Sequence, residues 1–283
     1  MRNVRKINNI FPSKPTIEGA GVRLKRIFGH AEVPTFDPFL LLDDFHSGNS
    51  EDYLPGFPWH PHRGIETVTY MLEGKVEHGD SLGNKGIIKS GEMQWMTAGS
   101  GIIHQEMPKG NKGLMWGLQL WVNLPASHKM MKPRYRDVRS EDIPAFQSNK
   151  GIKVKVISGR YKGLVGPVKD IICDPEYLDV SIPAGEKFEH IVKRGHTAFA
   201  YVLEGEGFFH PEKKESISRE NLILFSDGER VVIEAGQEPL RFLLISGQPI
   251  REPVAWYGPI VMNTEEELRL AFEEYRNGTF IKA

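Results

Sequence analysis

The sequence contains one cysteine, Cys173, among its 283 residues. A single thiol cannot form a disulfide within the chain, and sparse cysteine is typical of reducing compartments. No apolar run approaches the roughly 18 residues that a membrane span requires. The N-terminal residues are basic without an apolar stretch behind them, unlike a secretory signal. We therefore expect a cytoplasmic protein with no membrane partner.

An excess of positive charge is also absent. The 36 lysines and arginines face 37 aspartates and glutamates, which gives a formal net charge of -1. Proteins that bind nucleic acid directly usually carry a strongly basic surface. We therefore expect no direct nucleic-acid partner.

Short runs rich in β-branched and aromatic residues lie between glycines and prolines along the whole chain. In Leu118–Leu124, apolar residues recur at every second position, which predicts a strand with one buried face. Many such runs indicate an all-β protein built from antiparallel barrels. The exception is a short C-terminal helix, which Thr264 and Glu267 begin with a capping-box pattern and Asn277–Gly278 ends.

The chain also repeats a short motif. Tyr70–Gly74 (YMLEG) recurs 131 residues later as Tyr201–Gly205 (YVLEG), and each copy follows a strand-like run. The matching order of the surrounding runs indicates a duplicated domain. With a boundary in the polar stretch Ser140–Gly151, we predict a first domain over residues 1–140 and a second over 151–283.

The first half carries two pairs of potential metal ligands with the same spacing. His60 and His62 are two residues apart, and so are His104 and Glu106. On an extended strand, residues two apart point to the same side. Two such pairs on neighbouring strands predict one mononuclear site for iron, nickel, copper, manganese or zinc.

A second carboxylate, Glu66, leaves an alternative. It lies four residues after His62, so its parity also points it inward. Either Glu66 or Glu106 can complete the site, and the matched spacing favours Glu106. Glu66 would then orient a ligand histidine or pair with Arg63.

The second half lacks these ligands. At the repeat offset, Ile191 and Lys193 occupy the positions of His60 and His62. Aligning the turns of the two halves places Ile233 and Ala235 where His104 and Glu106 stand. We therefore predict one metal per chain and a metal-free second domain.

Longer stretches resemble the pirin family, a branch of the cupin superfamily with two tandem barrels. The resemblance covers nearly the whole chain and is most specific in the first half. The stretches that carry it are Asp37–Phe45, Gly56–Thr67, Gln94–Pro108, Gly117–Asn123, Arg251–Val254 and Gly258–Thr264.

This resemblance implies two jelly-roll-like cupin barrels and a metal held by His60, His62, His104 and Glu106. It also implies Fe(II) as the usual metal. Some family members resemble quercetin 2,3-dioxygenases, which open a flavonol ring with oxygen and release carbon monoxide. Others are regulators that act through a protein partner.

Two hypotheses follow from the sequence and the resemblance. The first is a metal-dependent dioxygenase acting on a small aromatic substrate such as a flavonol, with Glu106 as its base. The second is a metal-binding regulator without turnover, which would need a protein partner. For the dioxygenase, large side chains near the ligands are candidates for the pocket wall, although packing in the core explains the aromatic side chains and Met96 as well. These candidates are Trp59, Gln94, Trp95, Met96 and Trp116.

Overall fold

The computed structural model describes residues 3–109, 113–212 and 215–282, and its chain is built mainly from strands. Those of the first half are β1 (Ile7–Pro12), β2 (Lys14–Glu18), β3 (Val22–Phe28), β4 (Phe39–Ser47), β5 (Phe57–His62), β6 (Ile65–Glu73), β7 (Lys75–Asp80), β8 (Lys85–Lys89), β9 (Met93–Thr97), β10 (Ile102–Pro108), β11 (Met115–Asn123), β12 (Arg134–Val138) and β13 (Ala145–Gln147). Those of the second half are β14 (Lys153–Ser158), β15 (Arg160–Tyr161), β16 (Leu164–Val165), β17 (Glu176–Ile182), β18 (Lys187–Ile191), β19 (Thr197–Glu204), β20 (Glu206–Phe208), β21 (Ile217–Ser218), β22 (Asn221–Phe225), β23 (Arg230–Ala235), β24 (Leu240–Gly247), β25 (Ala255–Tyr257) and β26 (Ile260–Met262).

Helices are few and short. They are α1 (Ser50–Tyr53), α2 (Ala126–Lys129) and α3 (Glu265–Arg276), with 3-10 turns at His30–Glu32 and Ser140–Asp142. Among the described residues, no helix has the length and apolar character needed to cross a bilayer. The structure confirms the all-β expectation of two tandem cupin-type barrels with a short C-terminal helix.

The chain divides into two compact units. Each terminal segment belongs to the unit opposite to the one expected from the sequence. The histidine unit comprises Lys14–Ser140 and Ile250–Ala283, and the second unit comprises Met1–Ser13 and Glu141–Pro249. Strand pairing explains the N-terminal difference, since β1 extends the sheet of the second unit by pairing with β22. At the C-terminus, the hairpin of β25 and β26 and the helix α3 pack within the histidine unit.

The histidine unit consists of two sheets and a hairpin. The larger sheet has the strand order β12-β9-β6-β11-β4-β3-β2, and the smaller has the order β5-β10-β7-β8. All their pairs are antiparallel. The predicted ligands lie on β5 and β10, which are neighbours in the smaller sheet.

The second unit has the same plan. Its larger sheet has the order β1-β22-β19-β24-β17-β14-β13, and its smaller sheet has the order β18-β23-β20-β21. The two copies of the repeated motif end β6 and β19, each of which is third in its larger sheet. Gly74 and Gly205 follow them with φ values of 88° and 74°, a left-handed conformation that favours glycine. The repeated motif therefore occupies equivalent turns of two similar units.

Strand register corrects both pairs of equivalent positions. In the histidine unit, Pro108 pairs with the second residue after Gly74, and in the second unit Ala235 pairs with the second residue after Gly205. Counting back along β10 and β23 places Val231 and Ile233 at the positions of His104 and Glu106. The alignment of turns gives Ile233 and Ala235 instead, because it ignores the different loop lengths. His60 pairs with His104 and His190 pairs with Val231, so the same register places His190 and Val192, rather than Ile191 and Lys193, at the positions of His60 and His62.

Apolar side chains fill the interior of the second unit at these positions. Phe188, Val231 and Ile233 are almost completely buried and belong to one hydrophobic cluster. The second unit therefore has apolar residues (Val192, Val231 and Ile233) at three of the four ligand positions, and His190, at the fourth, lies 2.7 Å from the carboxylate of Glu176.

The C-terminal helix begins as predicted. The hydroxyl of Thr264 accepts a hydrogen bond from the backbone N–H of Glu267, whose carboxylate accepts one from the N–H of Thr264. Leu268 and Ala271 form its buried face. These two residues pack against Ile260 and other residues of the hairpin, so the helix is tied to the histidine unit.

Candidate metal centre

Three histidines converge at one point of the histidine unit. His60 and His62 lie on β5, and His104 lies directly opposite His60 on β10. One potential ligand atom from each of the three lies within 4.8 Å of those of the other two. The alternation of side chains along the two paired strands therefore brings these imidazoles together.

In His60 and in His62, a hydrogen bond to a backbone carbonyl group determines which ring nitrogen carries the hydrogen. Nδ1 of His60 lies 2.8 Å from the carbonyl oxygen of Pro58. Nδ1 of His62 lies 2.9 Å from the carbonyl oxygen of Pro259. Because a carbonyl oxygen can only accept, each Nδ1 is the donor, and each Nε2 of the neutral ring keeps a lone pair.

The nitrogens with lone pairs have the arrangement expected of metal ligands. Nε2 of His60 lies 3.0 Å from Nε2 of His62, where two lone pairs repel unless a proton or metal ion lies beside both. Both nitrogens of His104 are buried and have no hydrogen-bond partner among the described residues, an arrangement that costs free energy if nothing binds. The three imidazoles therefore fit a bound transition metal.

Burial also keeps these rings neutral. It lowers the pKa of His60, and it lowers the pKa values of His62 and His104 well below their ordinary value. For His62 and His104, repulsion from the neighbouring histidines adds to the effect of burial. Neutral imidazole is the form that binds metals, so little proton competition is expected at neutral pH.

Glu106 lies two residues after His104 on β10, on the same side of the strand. Its carboxylate accepts a hydrogen bond of 2.7 Å from the hydroxyl of Thr69, a residue of β6. Burial raises the pKa of Glu106, and the hydrogen bond from Thr69 opposes that rise. The side chain lines the same cavity as His60 and His62.

Glu66 does not point inward, contrary to the expectation from parity. It is fully buried, pairs in register with Thr97 and accepts a 2.6 Å hydrogen bond from the Thr97 hydroxyl. Thr69, three residues along the same strand, lines the cavity, so Glu66 lies on the opposite face. Glu66 does not keep the parity of His62, because the chain turns at Gly64, where φ is 79°.

Arg63 does not pair with Glu66 either. Its buried guanidinium donates hydrogen bonds of 2.7 Å to the carbonyl oxygens of Ser100 and Phe280 and to the carboxylate of Glu274. Glu274 lies on α3 and Phe280 follows it. Arg63 therefore fastens the C-terminal segment to the turn after the histidine pair.

A cavity of about 770 Å³ opens beside the histidines. Its wall combines aromatic side chains with a few polar groups. Among the lining residues are Leu41, Phe45, Phe57, Trp121, Trp256, Thr69, Gln119 and Glu106. Such a mixture is typical of small-molecule sites.

Of the large side chains proposed for the wall, the structure places one in the cavity lining. Trp59 lines the cavity and is half exposed. Trp95 and Met96 are completely buried, and Gln94 donates to Asp137. Trp116 is buried against His46, with ring centroids 4.3 Å apart. The packing explanation therefore holds for Trp95, Met96 and Trp116, whereas a hydrogen bond to Asp137 engages Gln94.

The sequence did not predict several other residues of the site. Gln119 and Trp121 lie on the face of β11 opposite to the apolar face that was recognised, so the same alternation could have indicated them. No sequence pattern indicated Thr69, and Pro259 contributes to the site through its backbone carbonyl oxygen. His78, interpreted as an ordinary histidine, is buried with its ring centroid 5.5 Å from that of His104.

Known proteins are similar to this chain over nearly its full length. A family model described as Pirin matches residues 21–122, and one described as Pirin C-terminal cupin domain matches residues 177–281. A pirin-like protein of Caulobacter vibrioides is 45% identical over 98% of this chain and 99% of its own. Human pirin is 40% identical over 98% of this chain and 94% of its own. A crystal structure of a quercetin 2,3-dioxygenase from Acinetobacter baumannii superposes with a TM-score of 0.90, at 33% identity over 98% of both chains. The chain therefore belongs to the pirin family.

Proposed function

We propose that this protein is a mononuclear metal-dependent dioxygenase that opens the ring of a flavonol such as quercetin. The observation that carries the proposal is the convergence of three neutral imidazoles at an aromatic-walled cavity that the buried Glu106 also lines. The likeness to a structure named quercetin 2,3-dioxygenase supports this substrate class.

In this proposal, His60, His62, His104 and Glu106 hold the metal. The hydrogen bonds from His60 and His62 to backbone carbonyls keep their Nε2 atoms available and fix the ring orientations. When bound, Fe(II) would supply Lewis-acid and redox chemistry, although nickel, copper, manganese or zinc would fit the same donors.

Glu106 would also act as the general base. Burial raises its pKa toward the range in which a carboxylate accepts a proton efficiently at neutral pH. The flavonol 3-hydroxyl would give its proton to the Glu106 oxygen that Thr69 does not hold. The resulting substrate anion would then be placed beside the three histidines.

The cavity would hold and desolvate the flavonol. Its volume of about 770 Å³ lies within the usual range for sites of drug-sized ligands. Trp121 packs against His62 with ring centroids 5.0 Å apart, and Trp256 lies 5.7 Å from Trp121. These rings provide flat apolar surfaces for a planar substrate.

The overall conversion balances without a further reductant. One flavonol and one O2 give one ring-opened ester and one CO, and the C2–C3 and C3–C4 bonds of the flavonol break. Both atoms of O2 enter the ester, while the C3 carbon leaves as CO with the oxygen of the 3-hydroxyl. The proton taken by Glu106 returns to the product.

A turnover assay tests this proposal. Protein loaded anaerobically with Fe(II) is mixed with quercetin and O2, and quercetin loss, O2 uptake and CO release are followed together. We expect turnover in the wild type and a loss of at least about 100-fold in Glu106→Gln, since one group would serve as ligand and base. Glu66→Gln, which changes a buried carboxylate on the opposite face of β6, should retain activity.

Two results would contradict the proposal. One is unchanged turnover in both Glu106→Gln and His62→Ala. The other is a wild type that consumes no flavonol with any of the five metals bound. The second result would instead favour a metal-binding regulator that acts through a protein partner.

A further inference from the structure

Arg26 and Asp43 form an ion pair in the wall of the cavity. Arg26 of β3 lies directly opposite Asp43 of β4, and both residues line the cavity. Nε and Nη2 of Arg26 donate to the two oxygens of the Asp43 carboxylate, at 2.9 and 2.7 Å. Because the pair has two parallel hydrogen bonds, the orientation of the guanidinium is fixed.

Glu18 adds a second carboxylate to this ion pair. It is the last residue of β2 and also lines the cavity, with its Oε1 atom 2.8 Å from Nη1 of Arg26. The Glu18 side chain is 40% exposed and the Arg26 side chain 28% exposed, whereas Asp43 is buried. Glu18 and Arg26 are therefore the two members that a ligand in the cavity can reach.

Arg26 retains donors that the two carboxylates do not use. A guanidinium has five N–H groups. Asp43 accepts from two of them and Glu18 from one. Within the part of the chain that the structure describes, the other two N–H groups of Arg26 have no partner. They can donate to an oxygen atom of a ligand.

A donor next to an acceptor matches a hydroxyl group. The hydroxyl oxygen can accept from Arg26 while its hydrogen is donated to the Glu18 carboxylate, which has lone pairs to spare. An anionic substituent could not donate, and it would face two carboxylates against one guanidinium. The charge and hydrogen-bonding pattern therefore favours an uncharged hydroxyl.

Strand order places this ion pair away from the metal centre. In the larger sheet, β11 lies between β4 and β6, and its Gln119 pairs with Asp43 on one side and with Thr69 on the other. Neighbouring strands are about 4.8 Å apart, so the backbones at Asp43 and Thr69 are roughly 10 Å apart. The Thr69 hydroxyl contacts Glu106, so a ligand beside Glu106 must extend across β11 to reach Arg26.

We infer that Arg26 and Glu18 form a specificity-determining subsite that binds a hydroxyl group on an outer ring of a planar aromatic ligand. Arg26 donates to the hydroxyl oxygen, and Glu18 accepts the hydroxyl hydrogen. The inference rests on the proposed function, because it presupposes a flavonol whose opposite end lies beside the three histidines. It adds which substituents the cavity recognises.

Anaerobic binding of two flavonols tests this subsite without turnover. Quercetin carries hydroxyls on both ring systems, whereas 3-hydroxyflavone retains only the hydroxyl next to the keto group. Quenching of tryptophan fluorescence in the metal-loaded protein gives the dissociation constant of each. We expect the wild type to prefer quercetin, and Arg26→Lys to lower that preference by roughly tenfold. Lysine keeps the positive charge opposite Asp43 but lacks the planar fork of donors.

Glu18→Ala carries the same prediction at a more exposed position and guards against a folding defect in Arg26→Lys. It removes the acceptor of the hydroxyl hydrogen, so the preference for quercetin should fall here as well. Both variants should bind 3-hydroxyflavone as the wild type does, because that ligand has no outer-ring hydroxyl.

Arg241→Lys is the matched control. In the second unit, Arg241 donates two hydrogen bonds to Asp179, of 3.0 and 2.8 Å, and one of 3.1 Å to Glu204. Its side chain is 25% exposed, but it does not line the cavity. The same substitution in this similar group should leave the preference for quercetin unchanged.

The outcomes separate this inference from the proposed function. If the wild type binds both flavonols and the Arg26 and Glu18 variants keep its preference, the subsite is wrong while the proposed substrate class stands. Equal affinity of the wild type for the two flavonols, or an equal loss of preference in Arg241→Lys, also overturns the inference. A wild type that binds neither flavonol overturns both proposals.

Discussion

At the scale of single residues, spacing along a strand predicted the histidines well and the carboxylate less well. His60 and His62 lie on one continuous strand, so residues two apart share a side. Glu66 lies beyond Gly64, where the chain turns. A side chain at Gly64 would come within 1.9 Å of the Val261 carbonyl oxygen, so the turn depends on a contact with a distant segment. Local pattern could not reveal that contact.

Thr69 offers a residue-scale test of how Glu106 is positioned. Thr69→Val removes the hydroxyl that holds the carboxylate, and changes to groups that orient a metal ligand commonly cost 10- to 100-fold in affinity. We therefore expect Fe(II) affinity to fall by roughly tenfold or more, as measured by competition with a chelator.

Thr67→Val is the control for this prediction. Thr67 is buried on the same strand and face, two residues before Thr69, and should tolerate the change with little effect on the metal. Equal affinities of the two variants would contradict a positioning role for Thr69.

At the scale of elements, local sequence patterns predicted the secondary-structure elements that are defined by residues near one another in the sequence. The helix α3 begins at a capping box made by Thr264 and Glu267, which are three residues apart. Strand β11 shows its buried face as an alternation in the sequence. The cavity-facing side of β11 was not predicted, because Gln119 and Trp121 resemble residues on the solvent-exposed side of a strand. The cavity that they line depends on distant strands and on the C-terminal segment.

The buried ammonium of Lys129 joins the C-terminal segment to the turn beside the histidines. It donates to the carbonyl oxygens of Gly64 and Val261, at 2.9 and 3.1 Å, and to the side chain of Asn123, at 2.7 Å. The Pro259 carbonyl, which orients His62, lies two residues before Val261. The metal centre should therefore depend on this lysine, although it is no ligand.

We expect Lys129→Met to destabilise the protein by about 3 kcal/mol, because three acceptors lose a buried donor. Urea denaturation of the metal-free protein measures this change, and a titration with Fe(II) should show weaker binding. Lys132→Met removes an exposed lysine three residues later and should change stability by less than about 0.5 kcal/mol. If both variants unfold at the same urea concentration, Lys129 does not make the contribution assigned to it.

At the scale of the whole molecule, the sequence indicated the duplication, but it did not indicate that each terminal segment belongs to the other unit. The repeated motif occupies equivalent turns, so local similarity was enough to find two units. The pairing of β1 with β22 joins residues more than 200 positions apart. A local sequence pattern does not predict which sheet an edge strand joins. A domain boundary placed from the composition of the chain therefore assigned both terminal segments to the wrong unit.

The two units also differ in what fills their interiors. Polar ligands converge in the histidine unit, whereas the second unit has Val192, Val231 and Ile233 at three of the equivalent positions and a single histidine, His190, at the fourth. We therefore expect one metal site for the whole chain. This expectation, together with the identity of the ligands, is the central claim.

Metal content per chain tests that claim most directly. After anaerobic loading with Fe(II) and removal of excess metal, elemental analysis should give about one ion per chain in the wild type and close to none in His62→Ala. His190→Ala, which changes a histidine of the second unit that contacts Glu176, should keep one ion. Two ions per wild-type chain, or full occupancy in His62→Ala, would contradict the account.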